Sequence, residues 1–275
     1  MSLEKRMNDL IMKYKVRPDA LLDQSFMIDE RMIKRIVSKA CIKPGETVLE
    51  IGAGIGFLSI ELVRTGGKVT SVELDERLRP ILKEELKGTG IKIVCGNALE
   101  YIKGKGFDKI VSNTPYSICE PLVQRLTKTK FKEAFLSVPK RFAYRLLKKN
   151  GIGYLAQAFF KIEILFDIPK KFFKPIPKVN TAFIKLEPRS NDYYKKHLDD
   201  FVLRELVLQS TKKLKNALME AIINREKLRG KDMTKKESKE TIKKLKLNKL
   251  ILEQKIEHIN LKALVDINKQ IKIDK

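Results

Sequence analysis

The stretch Glu46–Leu58, "ETVLEIGAGIGFL", constrains this chain more than any other. A run from Thr47 to Ile51, β-branched or apolar at four of its five positions, leads into Gly52, Gly54 and Gly56, and an apolar helical pattern begins at Phe57. That order predicts a strand, a glycine turn and a helix reaching Arg64. The continuation repeats the unit. "KVTSVELD" predicts a second strand, "RLRPILKEELKG" a second helix, "IKIVCGNAL" a third strand and "FDKIVSN" a fourth. Ahead of them, Met32, Ile33, Ile36, Val37 and Ala40 form one helical stripe. Strands alternating with helices imply a parallel sheet with right-handed crossovers. "FKEAFLSVPKRFAYRLL" and "YLAQAFFKIEILFDIP" hold further strand and helix candidates, and "KVNTAFIKLEP" predicts a closing strand.

After Pro188 the texture changes. Residues 190–275 contain no proline and one glycine, Gly230, with apolar residues at helical spacing such as Leu214, Ala217, Leu218 and Ala221. The expected architecture is an α/β sheet domain over residues 1–188 and a smaller all-helical domain over 189–275.

Charge supplies the first functional clue. The chain carries 58 Lys and Arg against 34 Asp and Glu, a net +24. Residues 190–275 hold 22 basic and 13 acidic residues, net +9, and the rest of the chain holds +15. The excess is spread over folded parts, which favours a broad footprint for a polyanion such as nucleic acid. A heat-adapted surface would explain the number of charges but not their one-sidedness. Cys41, Cys95 and Cys119 lie far apart without a CxxC pair, and there are two histidines, so neither a disulfide framework nor a metal site is expected. The cysteines are read as small buried hydrophobes. No apolar run approaches the roughly 18 residues of a membrane span, and the N-terminus is charged where a secretory signal is apolar. The expectation is a cytoplasmic monomer.

In an open parallel sheet, ligands bind beyond the carboxyl ends of the strands. Gly52, Gly54 and Gly56 stand at the first such end, spaced differently from the GxGxxG of dinucleotide folds. Glu73 ends the second strand, about 20 residues on, where a carboxylate can take both hydroxyls of a ribose; an exposed strand-end charge fits equally. Asn97 and Ala98 end the third, where an amide can read an adenine edge; a turn-forming asparagine fits equally. A backbone for a small charged group, an acid for ribose and an amide for adenine match S-adenosylmethionine.

The fourth strand ends in "SNTPYS", Ser112 to Ser117. An exocyclic amine of a nucleobase is a poor nucleophile because its lone pair is delocalised into the ring. Two acceptors holding its hydrogens let the nitrogen pyramidalise toward a methyl donor. The side-chain oxygen of Asn113 and the backbone carbonyl of Thr114 fit those roles, leaving the side chain of residue 114 relatively free. Pro115 keeps the preceding residue extended and offers no competing N–H. Tyr116 can stack on the extracted base. An ordinary Asn-Thr-Pro turn is the alternative for the tetrapeptide taken alone.

With these motifs in order, the chain resembles the rRNA adenine N6,N6-dimethyltransferases, the family that includes the erythromycin-resistance rRNA methyltransferases. The likeness runs over about residues 20–220. It rests on "DQSFMID", "LEIGAGIGFLS", "VELD", "GNAL", "SNTPY", "FKPIPKVNTAFIKLEP" and "LQSTKKLKNAL". The resemblance implies a Rossmann-like S-adenosylmethionine-dependent methyltransferase domain that dimethylates adenine in small-subunit ribosomal RNA, free or in a pre-ribosomal particle. It also implies that Gln24, Ser25 and Met27 line the cofactor with Gly52, Gly54, Glu73, Asn97, Ala98 and Asn113, and that Phe173 stacks the target base opposite Tyr116. A core role fits Phe173 equally. Lys212, Lys213 and Lys215 would contact RNA. The chain departs from the family pattern in "ALLD" before Gln24, where a basic residue and a glycine are usual. It also has Thr114 for Leu or Ile, Asn97 for Asp, and Ser210 and Thr211 for two arginines. Methylation of another exocyclic amine or rRNA site, and a non-catalytic RNA-binding assembly factor, stay open as alternatives.

Overall fold

Asp29 starts the first long apolar stripe: its side chain accepts the Met32 N–H at 2.7 Å and caps the helix Glu30–Ala40. Met32, Ile33, Ile36, Val37 and Ala40 are all buried, as their spacing requires. The computed structural model describes residues 1–149, 151–245 and 247–271. Within them the strands are β1 (Phe26–Met27), β2 (Thr47–Ile51), β3 (Lys68–Glu73), β4 (Lys92–Cys95), β5 (Gly106–Asn113), β6 (Lys130–Pro139), β7 (Phe160–Ile168), β8 (Phe173–Lys174) and β9 (Thr181–Pro188).

Seven of them form one sheet in the order β4-β3-β2-β5-β6-β9-β7, and β1 pairs with β8. The pairs from β4 through β6 are parallel, as the alternation predicts. β9 runs antiparallel to β6 and makes the sheet mixed. The cause lies between Ile168 and Thr181, where the chain holds a 3-10 turn and the short β8 but no crossover helix to turn it back. Leu49, Ile51, Val72, Ile110 and Val111 are all at most 1% exposed. Both faces of the central strands are therefore covered. The strand order reverses about β2, so the carboxyl ends of β2 and β5 flank the position where such sheets bind ligands.

The chain divides into two compact units, Met1–Tyr144 with Ile162–Pro188, and Arg145–Lys161 with the chain from Arg189 onward. The first holds the sheet. In the second, the helix Gly151–Phe159 buries Ile152, Leu155, Ala156 and Phe159 and packs with the helices Leu198–Leu208 and Leu261–Gln270. Among the described residues no helix is long and apolar enough to cross a membrane.

Two of the three cysteines differ from their expected burial. Cys119 is buried, Cys95 half-buried and Cys41 exposed. Cys41 closes the helix Glu30–Ala40 in a left-handed conformation, and a capping position faces solvent. Burial pushes the Cys119 thiol up to about 12, so it stays protonated.

Candidate active site

The carboxyl ends of β2, β3 and β5 and the segment from Leu21 to Met27 enclose one pocket. Gln24, Ser25, Met27, Gly52, Gly54, Glu73, Asn97, Ala98, Asn113, Thr114, Pro115, Tyr116 and Phe173 all line it. Lys212, Lys213 and Lys215 belong to the helical unit.

The floor is backbone. Gly52, at φ +74, donates its N–H to Val72 O at 2.8 Å, and a Cβ there would stand 3.2 Å from Cδ of Pro115. Gly54, at φ +59, would place a Cβ 3.1 Å from Cδ1 of Phe26. Left-handed backbone and close approach together require glycine at both positions. Glu73 is 8% exposed, not a solvated strand-end charge. One carboxylate oxygen accepts the Gly54 N–H at 2.7 Å and the other the Asp75 N–H at 2.9 Å. Burial pushes its pKa up while the amide donors pull it down. Glu73 thus ties the glycine turn to the end of β3.

Asn97 caps the short helix Ala98–Tyr101, its oxygen accepting the Leu99 N–H at 2.8 Å. Its NH2 group has no partner among the described residues, so what it offers a ligand is chiefly donors. The Gln24 amide is engaged at both ends, donating to Asp75 Oδ2 at 2.7 Å and accepting the Asp19 N–H at 2.7 Å. It holds the segment before β1 against the end of β3.

The sequence reading missed Glu50. This residue of β2 is fully buried, and its Oε2 accepts hydrogen bonds from Ser59 Oγ and Ser71 Oγ, the latter at 2.6 Å. Its Oε1 has no partner among the described residues, and the residue lines the pocket. Desolvation raises its pKa to about 7. A charged residue inside a strand covered on both faces was the available signal.

Asn113 ends β5 with its Nδ2 donating to the Ser25 carbonyl at 3.2 Å. That bond orients the amide and leaves Oδ1 as its acceptor. The side chain of Thr114 is not free: the residue is 2% exposed, and its hydroxyl donates to Ser112 Oγ at 3.0 Å, which donates to Ile51 O at 2.7 Å. The Thr114 N–H donates to Ser137 O at 3.2 Å. A hydroxyl relay from β5 to β2 therefore holds this peptide, a role no aliphatic side chain could fill.

A second missed residue is Asp23. It takes a left-handed conformation at φ +51, and its Oδ2 accepts the Ser117 N–H at 2.7 Å. The carboxylate joins two segments 94 residues apart. Tyr116 is half-buried, with its hydroxyl bonded to that of Thr181. Phe173 is 1% exposed and shares the core cluster of Phe26, Met27 and Phe183 while bordering the pocket. The three lysines are each ion-paired: Lys212 with Glu220 at 2.6 Å, and Lys213 and Lys215 with Glu253 at 3.0 and 2.5 Å. The one acid that meets both Lys213 and Lys215 lies 40 and 38 residues away from them in sequence.

Residues 19–257 match the family model described as ribosomal RNA adenine dimethylase. The probable ribosomal RNA small subunit methyltransferase A of Thermococcus sibiricus is 40% identical over 189 residues, covering 66% of this chain and 69% of that one. The ribosomal RNA small subunit methyltransferase A of Thermotoga maritima is 36% identical over 221 residues, covering 77% and 78%. Two crystal structures share the fold. A dimethyladenosine transferase from Plasmodium falciparum gives a TM-score of 0.57 at 24% identity, covering 88% of this chain and 97% of its own. The 23S rRNA methyltransferase ErmE gives 0.56 at 20% identity, covering 90% and 99%. The glycine turn, the acids at the ends of β2 and β3 and the Asn-Thr-Pro-Tyr loop all fall within the matched span, and by that match the chain belongs to the ribosomal RNA adenine dimethylase family.

Proposed function

We propose that this pocket binds S-adenosylmethionine and transfers methyl groups to N6 of an adenine in small-subunit ribosomal RNA, free or in a pre-ribosomal particle, in the cytoplasm. The sheet unit, which holds most of the expected 1–188 domain, carries the chemistry; the helical unit, which adds Arg145–Lys161 to the expected 189–275, grips the RNA. The observation that carries the reading is the fixed amide of Asn113, whose Nδ2 is held by Ser25 O at 3.2 Å.

The pocket suits the cofactor on two counts. Gly52 and Gly54 form a cradle that a Cβ would fill, and the buried Oε1 of Glu50 has no donor among the described residues, where an ammonium would supply one. The glycine turn and Glu50 would hold the methionine end, Glu73 the ribose, and Asn97 and Ala98 the adenine, with Gln24, Ser25 and Met27 covering it. Bound there, S-adenosylmethionine supplies a sulfonium methyl already activated for transfer.

The chain's own residues do the rest. Asn113 Oδ1 and the Thr114 carbonyl accept the two hydrogens of the target amine, and the nitrogen lone pair localises in response. Pro115 adds no competing donor. Tyr116 and Phe173 stack the extracted base. After transfer the extra proton leaves the nitrogen for water, so no general base is needed. Asn113→Ala should lower methyl transfer on the order of 10²–10³-fold, the scale of losing one preorganised polar contact. Its RNA affinity should stay within a few-fold of the parent. Labelled transfer to rRNA and pre-ribosomal subunits, followed by nucleoside analysis, reads both the rate and the product. Undiminished turnover would remove Asn113 from the chemistry.

A further inference from the structure

The helical unit contains a polar cavity of about 320 Å³ that includes Lys149, Arg189, Tyr193, Lys196, His197 and Asp199 in its lining. Three of these form a stack. The Arg189 guanidinium lies over the Tyr193 ring at 3.9 Å, and the His197 ring lies parallel to it within 22° at 4.2 Å. Two groups that close to one ring must occupy its opposite faces. The inner layers are fixed: the Tyr193 hydroxyl donates to Asp200 Oδ2 at 2.5 Å, and Arg189 Nε donates to Gln157 O at 3.3 Å. His197, the last layer, is exposed, and its imidazole makes no hydrogen bond among the described residues.

The charges around the stack contrast with those at Lys212, Lys213 and Lys215. Each of those lysines has a glutamate within 3.0 Å. Among the described residues, Lys149, Lys196 and Arg189 have no carboxylate partner, and the Asp199 carboxylate has no donor. Unpaired cations beside an open aromatic face are the two components of single-stranded nucleic-acid sites. An unpaired carboxylate adds an acceptor for an amine.

We propose that this cavity binds one nucleotide of single-stranded RNA, its base stacked on the open face of His197 and its phosphates on Lys149 and Lys196. An exocyclic amine of that base donates to Asp199, so adenine, cytosine and guanine are preferred to uracil. The proposal rests on RNA being the substrate, and it assigns the grip to the helical unit's own residues, apart from the transfer pocket.

The chain has two histidines, which makes the test direct. Ring signals of His197 and His258 in the full chain are followed by NMR during titration with adenosine 5′-monophosphate, uridine 5′-monophosphate and inorganic phosphate. Stacking moves the His197 ring protons upfield with the adenine nucleotide, less with the uridine nucleotide, and leaves His258 in place. His197→Ala should weaken binding of a short single-stranded RNA about tenfold, within the range for loss of one stacked base, and leave S-adenosylmethionine affinity unchanged. An His197 signal that ignores the nucleotides, or responds equally to phosphate alone, overturns the proposal, as does parental RNA affinity in the variant. These readouts do not require turnover. A protein that shows the shifts but does not methylate rRNA would refute the transfer reading and leave this site standing.

Discussion

Asp23 offers a test in which stability and activity move apart. Its backbone lies at φ +51, ψ +34, where an L-residue pays about 1–2 kcal/mol, with Asp at the low end. Its carboxylate accepts the Ser117 N–H at 2.7 Å in an exposed setting, a bond worth about 0.5–1.5 kcal/mol net. Asp23→Gly removes strain and bond together, two changes of about 1 kcal/mol and opposite sign, and should leave stability within about 0.5 kcal/mol of the parent. Asp23→Ala removes the bond and keeps the strain, so it should be about 1 kcal/mol less stable. In a unit of this size that is a fall in Tm of about 2–4 °C by thermal denaturation. Both variants free the segment from Leu21 to Met27 from the loop bearing Tyr116. Both should therefore lose methyl transfer by a similar factor, on the order of 10-fold. Equal melting temperatures for the Gly and Ala variants, or parental kcat in Asp23→Gly, would refute the latch.

Glu50 predicts a pH dependence. Its folded pKa of about 7 lies above the ordinary carboxylate value, so the folded state favours the protonated form. That contribution is whole below about pH 4.5 and is lost as pH rises through 7. Glu50→Gln should gain in melting temperature relative to the parent between pH 5 and 8, and a constant difference would show that Glu50 does not titrate in this range. Gly54→Ala places a methyl 3.1 Å from the Phe26 ring in a left-handed backbone, and calorimetry should show S-adenosylmethionine binding weakened at least tenfold. Glu253→Gln releases Lys213 and Lys215 from their shared partner, so RNA affinity at low salt should rise and its salt slope steepen; an unchanged slope would move the RNA path elsewhere.

The sequence alone determined the strand–glycine–helix order, the strand ends that carry Glu73, Asn97 and Asn113, and the helical texture after Pro188. These are short-range properties: apolar period, glycine placement and caps are set by residues a few positions apart. It could not reveal that Asp23 latches Ser117, that Ser25 orients Asn113, or that Thr114 bonds through Ser112 to β2. It also could not reveal that Glu253 neutralises two of the lysines expected to meet RNA. Each of those contacts joins a side chain to a group placed by another element. Glu50 shows why. One carboxylate in an apolar strand reads as an anomaly until the sheet is covered on both faces and the helix Phe57–Val63 brings Ser59 over it. Only tertiary packing excludes the water that would otherwise solvate such groups, and that exclusion turns a local charge into a buried, perturbed and directed one.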